Sequence, residues 1–346
     1  MFRKSRLEYK ELEYNSKLCI EAGINGWDSI EFKELYQSAC EFLSVNKINK
    51  IIIRPGESYL SQVRNELDKF SPTHYFYDPR TGSQEKILGL WQAFRISLLL
   101  YSRSIIPIVL LTDLSVRTWR TQSAIVTAMN GIVISFMSTR LAFPIFPHRR
   151  LMGPSLMPFS ENTLKLLKTL KDNITDVPPN KAVFIGSLYE PRTSQLKEIS
   201  EGLEVRNLTL EIRGRVLGAK RVPDSEYWSA LINSPIIVTT AGQIETADTD
   251  WAWIPQLVYR YIEAMACGTL LIAPAVPGIL RYFSPGEHFA SFSSTQEAID
   301  VIEYYLQNET ERSVLAERGK ARANSLIVSQ TFWRCVDVNL GKDSLT

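Results

Sequence analysis

The sequence predicts an α/β protein made of two parallel-sheet domains, and three observations point there. Short β-rich runs alternate with helical segments along most of the chain, the pattern of strands joined by crossover helices. Its 346 residues, at roughly 150 per domain, make two domains rather than one. A proline-bearing segment over residues 176–180, DVPPN, interrupts the alternation, which then restarts, as expected of a domain boundary.

Taken in order, a helical start is followed by residues 31–43, whose apolar side chains recur at helical spacing, and by 47–53 (KINKIII), a buried strand closed by Arg54, Pro55 and Gly56. Residues 58–70 set Tyr59, Val63 and Leu67 on one helical face. The short aromatic strand 74–77 ends at Asp78 and Pro79. A helix over 84–101, a β-rich run over 105–112 ending at Asp113, a helix over 120–129 and a strand over 131–136 complete the first series. The longest apolar stretch, 96–111, is broken by Arg103 and Pro107 and falls short of the ~20 residues that span a bilayer as a helix. It reads as a helix end, a turn and a buried strand. A loop rich in proline and basic residues over 144–158 and one further helix lead to the boundary. Beyond it, strands over 182–185, 208–212 and 235–240 alternate with helices over 194–202 and 224–233. The N-terminal domain is accordingly assigned to 1–176 and the second to 177–330, with 331–346 as a terminal helix crossing back toward the first domain. Two such domains facing each other leave a cleft between them.

Composition narrows the function. Thirty-nine Lys and Arg against 37 Asp and Glu give a net charge of +2, too balanced for a protein built around a nucleic-acid backbone. Cys19, Cys40, Cys267 and Cys335 are far apart and form neither a CxxC pair nor a Cys/His pattern, so no disulfide framework and no metal site is expected. The N-terminus, MFRKSRLEYKELEY, is charged and lacks the apolar segment of a signal peptide. A cytoplasmic location is the expectation.

Open parallel sheets bind ligands at the carboxyl ends of their strands, where helix N-termini converge. The first such turn of the second domain, FIGSLYEPR, offers Gly186, where backbone can approach a ligand closely, and Arg192; the plainer reading of Arg192 is a solvated helix-start residue. The next, EIRGRVLGAKR, brackets Gly214 and Gly218 with Arg213, Arg215, Lys220 and Arg221, enough charge to hold a diphosphate or simply a basic exposed loop. Gly242 lies in the turn after 235–240, beside a loop carrying Trp251 and Trp253. In the first domain Asp113 and His148, and also Asp78, are candidates for a general base toward an acceptor hydroxyl; the plainer reading of Asp113 is a helix cap or turn residue ahead of Arg117. The strongest signal is YRYIEAMACGTLLIAP over 259–274: a helix with Arg260 and Glu263 three apart on one face, then Cys267, Gly268, Thr269 and a buried strand.

That stretch, continued over 277–322, resembles the C-terminal domain of GT-B glycosyltransferases. It is most similar to the group 1 type that includes CgeB-like proteins, with some likeness to exostosin-type enzymes. The resemblance covers roughly residues 183–333 and implies two Rossmann-like domains, with a nucleotide-diphosphate sugar bound in the C-terminal one as substrate and no separate cofactor. It implies that Glu263 accepts hydrogen bonds from the ribose hydroxyls, with Arg260 in the same donor-binding set. Gly268 and Thr269 match the tight turn behind it, and Arg192 with Arg213 or Arg215 falls where cations meet the diphosphate. The implied reaction is transfer of a hexose-like sugar to a hydroxyl of a glycan or lipid-linked acceptor, as in polysaccharide biosynthesis. Contact with a membrane would be at most peripheral, at its inner face, through Trp119, Arg120 and the 144–158 loop.

One departure stands out. Retaining members often carry two glutamates separated by seven residues, and the position eight before Glu263 is Pro255. Glu245 and Asp248 share the same loop as substitutes, and Asp248-Thr249-Asp250 is the only DxD match. An inactive GT-B-like module binding a glycan or protein and a GT-B nucleotide-sugar epimerase therefore stay open beside the transferase. A dehydrogenase-type fold is disfavoured by the lack of GxGxxG after a first strand.

Overall fold

The computed structural model describes residues 16–22, 27, 29–54, 57–78, 86–111, 119–136, 151–153, 155–173, 181–216, 222–240, 257–329, 331–334 and 336. The chain divides into two units. The first comprises Met1–Thr112, Thr118–Glu161 and Val328–Thr346, and the second Asp113–Arg117 and Asn162–Ile327. The first unit thus gives way to the second at Glu161, ahead of the 176–180 segment, and the helix that follows belongs to the second unit apart from its first residue.

In the first unit the strands are β1 (Leu18–Glu21), β2 (Ile48–Ile51), β3 (His74–Tyr77), β4 (Ile106–Leu111), β5 (Ile132–Ser135) and β6 (Leu151–Met152). They form one sheet in the order β2-β1-β3-β4-β5-β6, parallel throughout. The helices are α1 (Ile30–Leu43), α2 (Tyr59–Phe70), α3 (Lys86–Ser102) and α4 (Trp119–Met129), each crossing between successive strands as the alternation requires. The sequence suggests a helical start, yet Leu18–Glu21 is a strand inside this sheet. All four of its residues are buried, so no exposed face produces an alternating pattern. Its last residue, Glu21, is a fully buried acid whose carboxylate accepts from the Tyr59 hydroxyl at 2.7 Å and from the Tyr75 hydroxyl. β6 is a further strand within the stretch that the sequence marks as a loop.

The chain end joins this unit. Phe159 and Val328 form a parallel bridge, and the fully buried Trp333 donates its indole N–H to Ser38 Oγ on α1 at 3.1 Å and stacks on Phe42. Two carboxylates of α1 receive the chain where it leaves the unit. Glu34 accepts from the Ser160 N–H at 2.7 Å, and Glu41 accepts from the Glu161 N–H at 2.7 Å and from the Ser329 hydroxyl. These acceptors satisfy amides at the start of α5 (Glu161–Asp172) that its own turns leave without partners.

The second unit carries β7 (Lys181–Leu188), α6 (Arg192–Val205), β8 (Thr209–Val216), α7 (Asp224–Ile232), β9 (Ile236–Val238), α8 (Tyr259–Ala266), β10 (Leu270–Ala273), β11 (Ala290–Ser291), α9 (Thr295–Gln307) and α10 (Glu309–Leu326). Its sheet is parallel in the order β11-β10-β9-β7-β8. Ala182, Phe184, Leu210, Val238 and Ile272 of the strands pack with Leu196, Ile199 and Leu203 of α6 and with Ala298, Ile299 and Ile302 of α9 in one core. Both β7 and β8 run further than the sequence suggests, because glycine is opposite glycine. Gly186 pairs with Gly214 in register, so neither interrupts the ladder.

Candidate functional site

The carboxyl edge of the second sheet gathers polar side chains from several elements. At the end of β7 stands Ser187; beyond β9 come Thr239 and Thr240, both buried. Arg192, the first residue of α6, turns back across this edge. Its Nε donates to Thr240 Oγ1 at 3.1 Å, its Nη2 to the Thr240 carbonyl at 3.0 Å and its Nη1 to the Ser187 carbonyl at 3.1 Å. The guanidinium packs over the Tyr189 ring at 4.4 Å and is buried, which pushes its pKa down from the ordinary arginine value. Arginine suits this place because its planar fork serves several acceptors at once, whereas lysine offers a point charge. Arg192 therefore clamps the ends of β7 and β9 rather than sitting solvated at a helix start. Three of its five N–H groups are used, and two are not engaged by the described residues.

Beside it, α8 presents Glu263 and Arg260 one turn apart, and α7 presents Tyr227. Glu263 is buried. The Tyr227 hydroxyl donates to Glu263 Oε2 at 2.5 Å, while Arg260 Nη1 donates to the Tyr227 hydroxyl and lies 3.2 Å from Glu263 Oε2. The Arg260 guanidinium also covers the Tyr227 ring at 4.7 Å. A carboxylate this far from water is stable only when charge and hydrogen-bond donors surround it, and here tyrosine and arginine supply both. Burial first, and to a lesser extent the positive charge of Arg260, lowers the Arg192 pKa. Together these residues hold a fixed carboxylate acceptor beside positive charge at a sheet edge. That arrangement can receive neighbouring hydroxyls on one side and an anionic group on the other.

Other residues fall elsewhere. Arg213 and Arg215 lie within β8 rather than in a turn, since the ladder to β7 continues through both. Arg213 is paired with Glu211, which also pairs with Lys181, and these contacts hold the Glu211 carboxyl below its ordinary value. Arg215 Nη2 donates to Ser187 Oγ at 3.1 Å, so Arg215 reaches the site edge while Arg213 does not. Gly186 is a strand residue, and a Cβ there would sit 3.1 Å from the Phe184 ring. Gly268 and Thr269 mark the opposite end of α8. Gly268 takes a positive φ of 69°, the left-handed conformation that closes the helix, and its N–H donates to Met265 O. The Thr269 hydroxyl donates to Leu231 O at 2.9 Å, tying α8 to α7. These two residues shape the scaffold behind Glu263 and do not line its polar cluster. Asp78 is fully buried at the end of β3. Asp113, His148 and Gly242, like Glu245 and the Asp248-Thr249-Asp250 run, lie outside the described residues.

Tyr227 is the residue that sequence reasoning missed. It belongs to α7, read only as a helix, and its signal was an aromatic beside Trp228 on the buried face of DSEYWSALI. Among the described residues no cluster of His, Cys, Asp and Glu is arranged to hold a metal ion, and no helix is long and apolar enough to cross a membrane.

Residues 192–327 match a family model described as glycosyl transferase-like. No curated protein is matched by the sequence. Among solved structures, the chain is similar to Alr3699/HepE from Anabaena in complex with UDP-glucose, with TM-score 0.61 and 10% identity over 95% of this chain and 100% of that one. It is similar to sucrose-phosphate synthase from Thermosynechococcus elongatus, with TM-score 0.62 and 11% identity over 95% and 98%. It is also similar to WaaG, a glycosyltransferase involved in lipopolysaccharide biosynthesis, with TM-score 0.55 and 11% identity over 94% and 100%. The fold is GT-B. Within this GT-B chain the matched family segment begins at Arg192 itself and takes in Tyr227, Arg260 and Glu263.

Proposed function

We propose that the protein is a glycosyltransferase that moves a sugar from a nucleotide-diphosphate sugar to a hydroxyl of a glycan or other acceptor. On this reading the second unit binds the donor and the first serves the acceptor. The observation that carries it is the buried Glu263 carboxylate, oriented by Tyr227 and Arg260 and flanked by Arg192 at the carboxyl edge of a parallel sheet. Glu263 would accept from the ribose hydroxyls, a task for a group that offers only acceptors. Arg215 and the two remaining N–H groups of Arg192 would oppose the negative charge that grows on the diphosphate as the bond to the sugar breaks. Structures of HepE hold UDP and UDP-glucose, which makes uridine diphosphate the first probe.

The test is a thermal-shift panel of UDP, GDP, ADP and their sugars, because a ligand that binds only the native state raises the melting temperature. One nucleotide is expected to raise it for the native chain and not for Glu263→Ala. A panel without any shift, or an equal shift in the variant, removes the donor site from Glu263. Pro255 in place of a first glutamate favours a second reading, a GT-B-like binding module without transfer. That reading would show glycan or protein binding with no consumption of any nucleotide sugar.

A further inference from the structure

A strand at the edge of a sheet has one row of backbone groups left over, a template for pairing with another chain, and proteins usually keep such strands short. Three of the four edge strands here obey that rule: β2 has four residues, β6 and β11 two each. The fourth, β8, has eight, Thr209–Val216, and among the described residues it pairs with β7 alone. Ile212 shares a face of β8 with the buried Leu210 two residues earlier, yet is 36% exposed. On the other face stand Glu211 and Arg213, whose side chains keep 32% and 43% of their exposure. Arg213 uses its Nε on Glu211 and engages no other described residue.

Charges on an edge strand keep copies of a chain apart when like meets like. Along β8 the order is acid, apolar, base: Glu211, Ile212, Arg213. Consider a second copy laid antiparallel against this edge by a two-fold axis normal to the sheet. Such an axis keeps every side chain on its own face, so the pairing must be centred on a residue. Centred on Ile212, it sets Glu211 opposite the partner's Arg213, Arg213 opposite the partner's Glu211, and Ile212 against the partner's Ile212. Moving the centre by one residue opposes Glu211 to the partner's Glu211, or Arg213 to the partner's Arg213. Charge thus selects one register, since opposite charges directly across a ladder stabilise it and like charges destabilise it. We propose that the protein forms a two-fold dimer through β8, joining two five-stranded sheets into one of ten strands. The unpaired length of the edge, its exposed isoleucine and its self-complementary charges all find a use in that contact. It does not draw on Arg192, Tyr227, Arg260 or Glu263, so it stands or falls apart from the donor site.

The experiment is sedimentation velocity on the full chain over about 1–100 μM. The native chain is expected to approach twice the monomer mass as concentration rises, and to return toward monomer at high salt. Arg213→Glu turns both central pairs into acid against acid, and Glu211→Arg turns both into base against base. Each alone should raise the dissociation constant about tenfold or more. Mixed in equal amounts, the two variants oppose acid to base at both pairs again, and should form a mixed dimer that neither forms with itself. Ile212→Cys puts a thiol on the axis, with the two Cα atoms about 4.5–5.5 Å apart, within disulfide reach. Mild oxidation should then link two copies through residue 212, as peptide mass spectrometry will show. A native chain that stays monomeric over this range overturns the proposal. So does a dimer that both charge variants leave intact, or a mixture that stays monomeric while both variants melt like the native chain. Should a charge variant melt early, the cross-link decides alone: a dimer whose Ile212→Cys form does not link at that position is not the one proposed.

Discussion

Replacing Tyr227 with phenylalanine removes one oxygen and leaves the ring in place. The hydroxyl lost is the donor 2.5 Å from Glu263 Oε2 and an acceptor for Arg260. A hydrogen bond to a charged group contributes about 1.5–3 kcal/mol. The Glu263 and Arg260 side chains keep only 4% and 16% of their exposure, so water cannot fully replace the missing donor, but Arg260 at 3.2 Å still faces the carboxylate. The lower end, about 1.5 kcal/mol, is therefore expected, a fall of about 3–6 °C in the melting temperature of a unit this size. Calorimetry on Tyr227→Phe, Glu263→Gln and the double variant reads it directly. In the double variant the two effects should be less than additive, because Tyr227→Phe removes the shared contact and Glu263→Gln already weakens it by removing its charge. On the reading proposed above, nucleotide affinity should also drop about tenfold, as Glu263 loses its fixed orientation. A melting temperature within about 1 °C of native, or full additivity, would refute the claim that this hydroxyl holds Glu263.

Two further outcomes follow from single residues. Gly268→Ala places a side chain at φ 69° and its Cβ 3.0 Å from Lys320 Cδ. The lysine can move but the backbone cannot, so a loss of about 1–2 kcal/mol is expected in chemical denaturation; an unchanged midpoint would show that the turn tolerates other conformations. Cys19 and Cys267 are buried, and burial pushes the Cys19 thiol up to about 12 and raises Cys267 as well, with Glu263 adding to the latter. Iodoacetamide at mildly alkaline pH should leave both unmodified in the native chain and label both after unfolding, as peptide mass spectrometry will show.

Much of the alternating architecture was legible because long, strongly patterned segments announce themselves. The run 105–112 sits over β4, and the helix over 58–70 shows Tyr59, Val63 and Leu67 on one face as drawn from the sequence. β1 was hidden because four wholly buried residues following a charged segment carry no period. Gly186 and Gly214 misled in the opposite direction: each alone suggests a turn, and only their pairing across two strands makes them ladder residues. Glu263 and Arg260 were legible from their spacing on one helix. Tyr227 was not, because a tyrosine in an amphipathic helix looks like core until a partner from another element is placed against its hydroxyl. Arg192 was found for its charge, while its clamp on Thr240 and Ser187 depends on strand ends that the sequence does not order in space.

The burial of Trp333 against α1 bears on how the chain can be dissected. Its indole fills space beside Ser38 and Phe42, almost three hundred residues earlier. A fragment stopping at Glu161 would be short of its largest fully buried side chain and of the Ser329 hydroxyl that meets Glu41. Such a fragment is not a smaller version of the first unit. The main stretch of the second unit, Asn162–Ile327, is closed around its own core. A recombinant first unit has to be made as a chimera, with the stretch from Val328 onward spliced back to the end of the amino-terminal piece. The Phe159–Val328 bridge marks where the two ends already run side by side.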